Sequence, residues 1–238
     1  MGEGKRSIAP FLFLAALLAA GCDVPIGTPQ ERLFKAAKND YTRITVKLLD
    51  AGVSPDSKDQ AGWTPLMWAA AKDNLDTIRI LVARGAALDA RNDKGETPLH
   101  IASRWSRTET VNFLIASGAR VDAQDRLGWP PLMWASMQGR TEIVRELAAG
   151  GANLEFKDVN GNTPLMMAAN RGRAATVQAL LDLGANPFKL NRDGETAADL
   201  ARLSGYPELS AALAAGSSKM PAAEQGRKRW KRKSAASR

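Results

Sequence analysis

The hexapeptide Thr97-Pro98-Leu99-His100-Ile101-Ala102 carries a pattern that returns along the chain at a constant interval. Its first three residues recur at 64–66 and 163–165, as Pro-Pro-Leu at 130–132 and, in decayed form, as Thr-Ala-Ala at 196–198, with a spacing of 33 positions each time. Threonine is a good N-cap, and proline suits the first position of a helix. An unbroken period of this length predicts a chain built from stacked copies of one small unit.

Each copy predicts two short helices. In the copy that begins at Thr64, the residues Leu66, Ala69 and Ala70 follow the spacing i, i+3, i+4 and form one apolar face of the first helix. Small alanines in two of these positions let neighbouring helices approach closely. The apolar face of the second helix is predicted at Ile78, Leu81 and Val82, at Val111, Leu114 and Ile115, and at Val177, Leu180 and Leu181.

Turn residues separate the predicted helices. Glycine at 139, 172 and 205 ends the first helix with a left-handed residue, and Asp73 and Ser106 occupy that position in two copies, where we expect strain. Gly-Ala pairs end the second helix at 85–86, 118–119, 151–152 and 184–185. Segments of the form Asx-x-x-Gly, which predict a tight turn, lie at 59–62, 92–95, 125–128, 158–161 and 191–194.

This pattern resembles the ankyrin repeat family, whose motif T-P-L-H-x-A is complete at 97–102. The likeness covers about residues 31–216. It implies an all-α repeat solenoid, in which each unit is a helix-turn-helix with a β-hairpin finger, and a concave groove that binds partner proteins. We expect about six repeats: a polar N-terminal cap with Glu31-Arg32 in place of Thr-Pro, four central repeats, and a C-terminal cap whose Arg202 and Ser210 replace apolar residues.

Residues 1–21 resemble a bacterial lipoprotein signal peptide. The basic pair Lys5-Arg6 precedes an apolar run at 8–20, which is too short to span a bilayer, and small residues then lead directly to Cys22, the single cysteine. The resemblance implies cleavage before Cys22, lipidation of its thiol and a short linker over 22–30. A plain secretory signal and a buried N-terminal helix are the alternatives.

The net charge of +8 is concentrated at the C-terminal end of the chain. Residues 219–238 contain eight basic residues and one acidic residue, whereas 22–218 contain 23 of each. The run Arg227-Lys228-Arg229-Trp230-Lys231-Arg232-Lys233 follows a stretch rich in Gly, Ser, Pro and Ala, which predicts a disordered basic tail over 217–238. In an exported protein this run favours contact with an anionic membrane surface, and a solvated tail without a fixed partner is the alternative.

Residue types that catalysis needs are scarce in this chain. A single histidine and a single cysteine cannot supply a multi-ligand metal site of either type. His100 is interpreted as a residue that hydrogen-bonds turns within the stack, because Met67, Met133 and Met166 occupy its position in other copies. We therefore predict no enzymatic activity, no cofactor, no metal and no small-molecule substrate; a hydrolase based on two carboxylates stays an open alternative.

Five of the six tryptophans fall outside the predicted core stripe. At 100° per residue, Trp68 and Trp134 lie opposite the core faces of their helices, and Trp63 and Trp129 precede those helices at the fingers. Tryptophan is enriched in interface hot spots. We predict a partner-binding surface made of Trp63, Trp68, Ile101, Trp105, Trp129, Trp134, Met137 and Met167. The alternative is that Trp68 and Trp134 are half-buried between adjacent helices.

These features predict an exported, lipid-anchored interaction protein of the bacterial cell envelope that faces the periplasm and binds an unidentified protein. Asp23 follows Cys22 and resembles an inner-membrane retention signal, so the inner membrane is favoured over the outer membrane. A non-specific periplasmic holdase or spacer is the nearest alternative. If the signal is not processed, the alternative is a cytosolic interaction protein with a nucleic-acid-binding tail; otherwise no nucleic acid partner is expected.

Overall fold

The computed structural model describes residues 27–215, which form six helix pairs. The first helices of successive pairs pack against one another in an inner row, and the second helices form an outer row behind them. The inner row consists of α1 (Pro29–Lys38), α3 (Pro65–Lys72), α5 (Pro98–Arg104), α7 (Pro131–Gln138), α9 (Pro164–Asn170) and α11 (Ala197–Leu203). The outer row consists of α2 (Thr42–Asp50), α4 (Leu75–Ala83), α6 (Thr108–Ala116), α8 (Thr141–Ala149), α10 (Ala174–Asp182) and α12 (Pro207–Ala215). The predicted all-α repeat solenoid is confirmed.

Most inner helices begin with the same pair of bonds. The Thr97 hydroxyl accepts the backbone N–H of His100 at 3.4 Å, and the His100 ring accepts the backbone N–H of Thr97 at 3.2 Å. Thr64 with Met67 and Thr163 with Met166 repeat this arrangement, with the thioether sulfur as the returning acceptor. Such caps satisfy backbone donors that the first helical turn leaves without partners.

The first unit begins one helical turn earlier than the sequence pattern predicts. The Thr28 hydroxyl accepts the Glu31 N–H at 3.2 Å, and the Glu31 carboxylate accepts the Thr28 N–H at 2.8 Å, which makes Thr28 the N-cap of α1. The interpretation that Glu31-Arg32 stands in place of the threonine–proline pair is therefore wrong. Thr28-Pro29 fills that role three positions upstream, and α1 is ten residues long as a result.

The predicted apolar positions form the core. Leu66, Ala69 and Ala70 of α3 are fully buried, and so are Ile78 and Leu81 of α4 behind them. They belong to one continuous apolar cluster with members from all six helix pairs. Because each pair buries its apolar face largely against its neighbours, stability belongs to the stack more than to any single pair.

Left-handed residues end several inner helices, as predicted. Asp73 and Ser106 have φ angles of 64° and 60° where other units use glycine, and Asp40 has φ 57° in the first unit. The aspartates gain a compensating contact, because Thr77 donates to the Asp40 carboxylate and Thr110 donates to the Asp73 carboxylate, each at 2.7 Å. These bonds connect neighbouring helix pairs, so the turns at Asp40 and Asp73 also hold the next unit.

The loops before five of the inner helices, which we call the finger loops, span 58–63, 91–96, 124–129, 157–162 and 190–195. They contain no strand in the part of the chain that the structure describes, so the predicted β-hairpin fingers are tight turns. In the first loop the Gly62 N–H donates to the Asp59 carbonyl at 3.0 Å. A single backbone bond, from the Asp93 N–H to the Ala61 carbonyl at 3.1 Å, joins this loop to the next, which is too little for a strand ladder.

Three predicted features lie outside the described residues: the signal peptide at 1–21, the lipidated Cys22 and the basic run 227–233. Between residues 27 and 215, no helix has the length and apolar character that crossing a membrane requires.

Candidate functional site

A pair of tryptophans on the second unit forms what we call the first tryptophan module, comprising Asp59, Trp63 and Trp68. The two ring centroids are 4.7 Å apart and the ring planes are tilted by 38°. Trp63 lies in a finger loop and Trp68 on α3, and both are half-buried. The Trp68 indole Nε1 donates to Asp59 Oδ2 at 2.9 Å. Since an indole nitrogen only donates, this carboxylate fixes the orientation of the ring.

The same arrangement returns two units later as the second tryptophan module, comprising Asp125, Trp129 and Trp134. Its ring centroids are 4.9 Å apart with a tilt of 57°. The Trp134 indole Nε1 donates to Asp125 Oδ2 at 2.8 Å. Both separations fall in the range in which aromatic pairs attract each other. Each module therefore presents a fixed pair of indoles at the junction of a finger loop and an inner helix.

Each module aspartate also closes its own finger loop. Asp125 Oδ1 accepts the backbone N–H groups of Leu127 and Trp129, both at 2.9 Å. Asp59 Oδ1 does the same for Ala61 and Trp63, again at 2.9 Å. One carboxylate oxygen thus accepts the backbone N–H groups of the turn, and the other accepts the indole N–H.

Two other finger loops, 91–96 and 190–195, have an asparagine in the position that the aspartate occupies in the modules. Asn92 Oδ1 accepts the backbone N–H groups of Lys94 and Glu96 at 2.9 Å, and its Nδ2 donates to the Glu96 carboxylate at 2.8 Å. Asn191 likewise donates to Glu195 at 3.1 Å. In each of these loops the residue at this position matches its partner: Asp59 and Asp125 accept from an indole, Asp158 accepts from the Asn162 amide, and Asn92 and Asn191 donate to a glutamate.

A cation from the preceding inner helix lies over each pinned indole. Lys38 Nζ of α1 is 4.8 Å from the centroid of Trp68, and Arg104 Cζ of α5 is 5.7 Å from the centroid of Trp134. Both distances are within the range of cation–π attraction. Arg104 also donates to the carboxylate of Glu96 at 2.6 Å, and the side chain of Glu96 is only 3% exposed.

Ile101 does not present an accessible surface. It is fully buried in a small cluster with Met67 and Ala71, against which Trp63 packs. This burial is at odds with the prediction that Ile101 contacts a partner. The periodicity of one helix shows only its own core stripe, whereas an inner helix such as α5 has a neighbouring inner helix on each side and is covered over more of its circumference.

The other predicted contact residues differ in exposure. Trp105, at the C-terminal end of α5, is 53% exposed. Met137, Met167 and the four module tryptophans are half-buried. Trp68 packs against the main apolar cluster, which agrees with the half-buried alternative for that residue. Trp105 is therefore the most exposed of the predicted contact residues.

Two finger-loop residues add exposed apolar surface that the sequence pattern did not single out. Leu127 is 56% exposed and Val159 is 62% exposed, and they lie in consecutive finger loops. Together with Trp105 they give the third to fifth units apolar groups on the surface formed by the inner helices and the finger loops. We call this surface the inner face.

His100 joins two units through a neutral ring. Its Nδ1 lies 2.8 Å from the Thr97 hydroxyl and accepts the Thr97 N–H, so we assign the proton to Nε2, which donates to the Trp129 carbonyl at 2.9 Å. Burial lowers the pKa of His100, while its bond to the Trp129 carbonyl acts in the opposite direction. This geometry matches the interpretation of His100 as a residue that links turns in the stack.

Two open clefts flank α1 beside the first module. One has a volume of about 380 Å³ and is lined by Phe34, Lys35, Lys38, Asn39, Asp59 and Trp68. The other, of about 450 Å³, lies between α1 and the first finger loop and shares Phe34 and Asp59 with the first. Within residues 27–215 there is no group of three or more His, Cys, Asp or Glu side chains that could hold a metal ion.

Sequence reasoning missed the module aspartates and the two cations. The spacing Asp-x3-Trp-x4-Trp occurs at 59–68 and again at 125–134, and this duplication is the signal that could have found the aspartates. No comparable signal marks Lys38 or Arg104, because each comes from the preceding unit and meets its indole only through stacking.

Stacked helix pairs joined by capped turns and finger loops define a helical repeat protein, a class that presents an extended surface built from successive units. A family model described as "Ankyrin repeats (3 copies)" matches residues 33–125 and 132–221. The chain belongs to the ankyrin repeat family. Ankyrin repeats are protein interaction modules and in general are not enzymes.

Curated relatives match this chain over a limited region. The proteins named "Ankyrin repeat, SAM and basic leucine zipper domain-containing protein 1" from Oryctolagus cuniculus and Homo sapiens are each 41% identical to it over 61 residues. That region is 26% of this chain and 13% of the relative in both comparisons. The chain therefore covers only a small part of the length of these relatives, and the domains in that name are properties of those proteins.

Proposed function

We propose that this protein is an exported, lipid-anchored ankyrin repeat protein that binds a partner protein through its inner face. The observation that carries the binding proposal is Trp105, a large aromatic side chain left 53% exposed on α5. Leu127 and Val159 extend the apolar surface along the finger loops. Tryptophan is over-represented among residues that dominate binding energy.

The tryptophan modules contribute rigidity to this surface. Their indoles are held by Asp59 and Asp125 and packed in pairs, so little side-chain entropy is lost when a partner contacts their exposed edges. Such a surface favours a partner of defined shape over the adaptable clients of a holdase. Met137 and Met167 provide half-buried thioether groups beside the second module.

Site-specific photo-cross-linking tests the binding proposal. A photoreactive amino acid at position 105 should capture one discrete partner in cells, whereas the same group at position 44 should not. Ile44 is a suitable control because it is 37% exposed on the outer helix α2. A broad smear from both positions favours the holdase alternative, and equal capture of one protein from both positions contradicts an inner-face site.

Affinity for the captured partner gives the quantitative test. Trp105→Ala should weaken binding by roughly 30-fold, the value for a hot-spot loss of about 2 kcal/mol. Ile44→Ala should leave the affinity unchanged. Both variants should melt close to the parent, since neither side chain lies in the buried core.

The export and anchoring proposal is supported by the sequence alone. Basic residues, a 13-residue apolar run and small residues before Cys22 have the order of a lipoprotein signal. Cys22→Ala should block processing or release the protein into the soluble fraction. An unprocessed parent chain in the cytosol would contradict the proposal and revive the cytosolic alternative.

The basic run at 227–233 is proposed as a second, electrostatic contact with the anionic membrane surface. One acyl chain alone binds membranes only marginally, so additional charge contacts matter for retention. An unlipidated chain should bind anionic vesicles more weakly when 219–238 are deleted, and the difference should shrink as salt rises. Equal binding by both chains would remove this part of the proposal.

A further inference from the structure

The two tryptophan modules match residue by residue at an offset of 66 positions, except at one place. Trp68 corresponds to Trp134, and Lys38 corresponds to Arg104 as the cation over the indole. In the second module the cation is paired, because Arg104 contacts Glu96 at 2.6 Å. Within the described residues, Lys38 has no carboxylate within ion-pair distance. Among residues 27–215, the first module therefore has no counterpart of the carboxylate that pairs with Arg104 in the second.

The early start of α1 explains this difference. The position 66 residues before Glu96 is Gln30, which is neutral. Gln30 lies within the helix formed by residues 29–38, whereas Glu96 lies in the finger loop that precedes α5. Two clefts lie beside α1, and the described residues leave both open to solvent.

The carboxylates that line these clefts already accept hydrogen bonds from other groups. Asp59 accepts bonds from the Trp68 indole and from two backbone N–H groups of its loop. Glu31 accepts the Thr28 N–H in the capping box of α1. Lys35, which lines the same cleft as Lys38, is exposed and adds a second positive charge. The cleft thus combines two cations and an apolar wall with one carboxylate, that of Asp59, which already accepts three hydrogen bonds.

We infer that the cleft lined by Phe34, Lys35, Lys38 and Trp68 binds an acidic side chain of the partner protein, in the place that Glu96 fills for Arg104. This inference rests on the proposed function and specifies the partner: a peptide segment in which a Glu or Asp is followed by an apolar residue. The carboxylate pairs with Lys38 above the Trp68 ring, and the apolar neighbour packs on Phe34. The basic run 227–233 carries the same charge as the cleft and is not its occupant.

A peptide titration followed by NMR tests the inference on the full chain. The probe is acetyl-Gly-Glu-Leu-Glu-Gly-amide, and the matched probe has glutamine at both glutamate positions. The chain has six tryptophans and hence six indole N–H signals, which report the place of binding. The glutamate probe should shift the Trp68 signal, and the glutamine probe should not. Binding should weaken as ionic strength rises.

Variants of Lys38 localise the charge contact. Lys38→Gln should weaken binding of the glutamate probe by about tenfold, the size expected for one charge-assisted bond at a partly exposed site. Lys38→Arg should retain binding, because the second module uses arginine in this position. Lys47→Gln removes the same charge from an exposed position on α2 and should have no effect.

Three outcomes would overturn the inference: equal binding of the two probes, equal affinity of Lys38→Gln and parent, or a shift confined to the Trp230 signal, which would place the peptide on the basic tail. These failures are distinguishable from failure of the proposed function. A discrete partner cross-linked at position 105 with no dependence on Lys38 removes only the present inference, whereas the absence of any discrete partner removes the proposed function itself.

Discussion

Trp134 and Asp125 are joined by a hydrogen bond of 2.8 Å from the indole Nε1 to carboxylate Oδ2, nine residues apart in the chain. The other oxygen of Asp125 holds two backbone N–H groups of the finger loop. One side chain therefore couples the shape of a finger loop to the orientation of a ring on the next helix. Trp68 and Asp59 repeat this relationship, so the second and fourth units share one local design.

Replacing Asp125 with asparagine should destabilise the fold. One amide oxygen can keep the turn, but the amide NH2 then faces the Trp134 N–H, and that half-buried donor loses its acceptor. The expected loss is about 1–2 kcal/mol of unfolding free energy. Urea denaturation of Asp125→Asn measures it, and Asp93→Asn in an exposed loop position is the control. Equal stability of the two variants would show that the indole bond contributes nothing.

Gly95 should be more sensitive to alanine than Gly194, although both have a left-handed backbone, with φ 76° and 77°. A Cβ at Gly95 would lie 2.8 Å from the backbone nitrogen of Arg126 in the next finger loop, whereas a Cβ at Gly194 would meet nothing within 4 Å. Gly194→Ala should cost about 1–2 kcal/mol for backbone strain alone. Gly95→Ala should lower the melting temperature measurably more than Gly194→Ala does. An equal decrease in both variants would mean that the neighbouring finger loop moves away without cost.

His100 should make the protein less stable in mild acid. Burial lowers the pKa of His100 below its usual value, so between the two values the unfolded chain binds more protons than the folded protein. The stability from the neutral ring is complete above about pH 6.5 and is lost as the pH falls through the lowered pKa. The free energy of unfolding should fall by at most about 1.4 kcal/mol for each pH unit in this range.

The variant His100→Met isolates this effect, because Met67 and Met166 occupy the same capping position in other units. Denaturation midpoints between pH 5 and pH 8 should fall with acid in the parent and stay level in the variant over that range. The same acid slope in both proteins would assign the effect to other groups.

The ion pair of Arg104 and Glu96 should behave as a buried pair. Arg104→Gln leaves the Glu96 carboxylate, 3% exposed, without its cation and should cost about 1–3 kcal/mol of stability. Adding Glu96→Gln should recover much of that loss, since a neutral amide still accepts the bond from Asn92. Arg84→Gln breaks an exposed pair with Asp50 and should cost less than about 1 kcal/mol.

A double-mutant cycle on chemical denaturation gives the coupling energy of Arg104 and Glu96. Coupling no larger than that of Arg84 and Asp50 would contradict the role assigned to burial.

Much of the fold follows from residues within one repeat. The positions of Leu66, Ala69 and Ala70 on a helical face depend only on helix geometry, and the structure buries all three. The left-handed residues Asp73 and Ser106 follow from turn stereochemistry in the same way. The start of the first unit does not follow from this pattern, because its cap, Thr28-Pro29, lies outside the 33-residue register and a fixed spacing takes no account of an extra helical turn.

The period, the two helices of each unit, the core positions and the family all follow from the amino-acid sequence, because they depend on local propensity and on the spacing of apolar residues. The assembled stack is what buries Ile101, brings His100 to the Trp129 carbonyl, and sets Lys38 over Trp68 with no carboxylate within ion-pair distance among residues 27–215. These are contacts between units. They depend on the distance and rotation between stacked helices, which the packing of the assembled stack sets and which no spacing within a single repeat specifies.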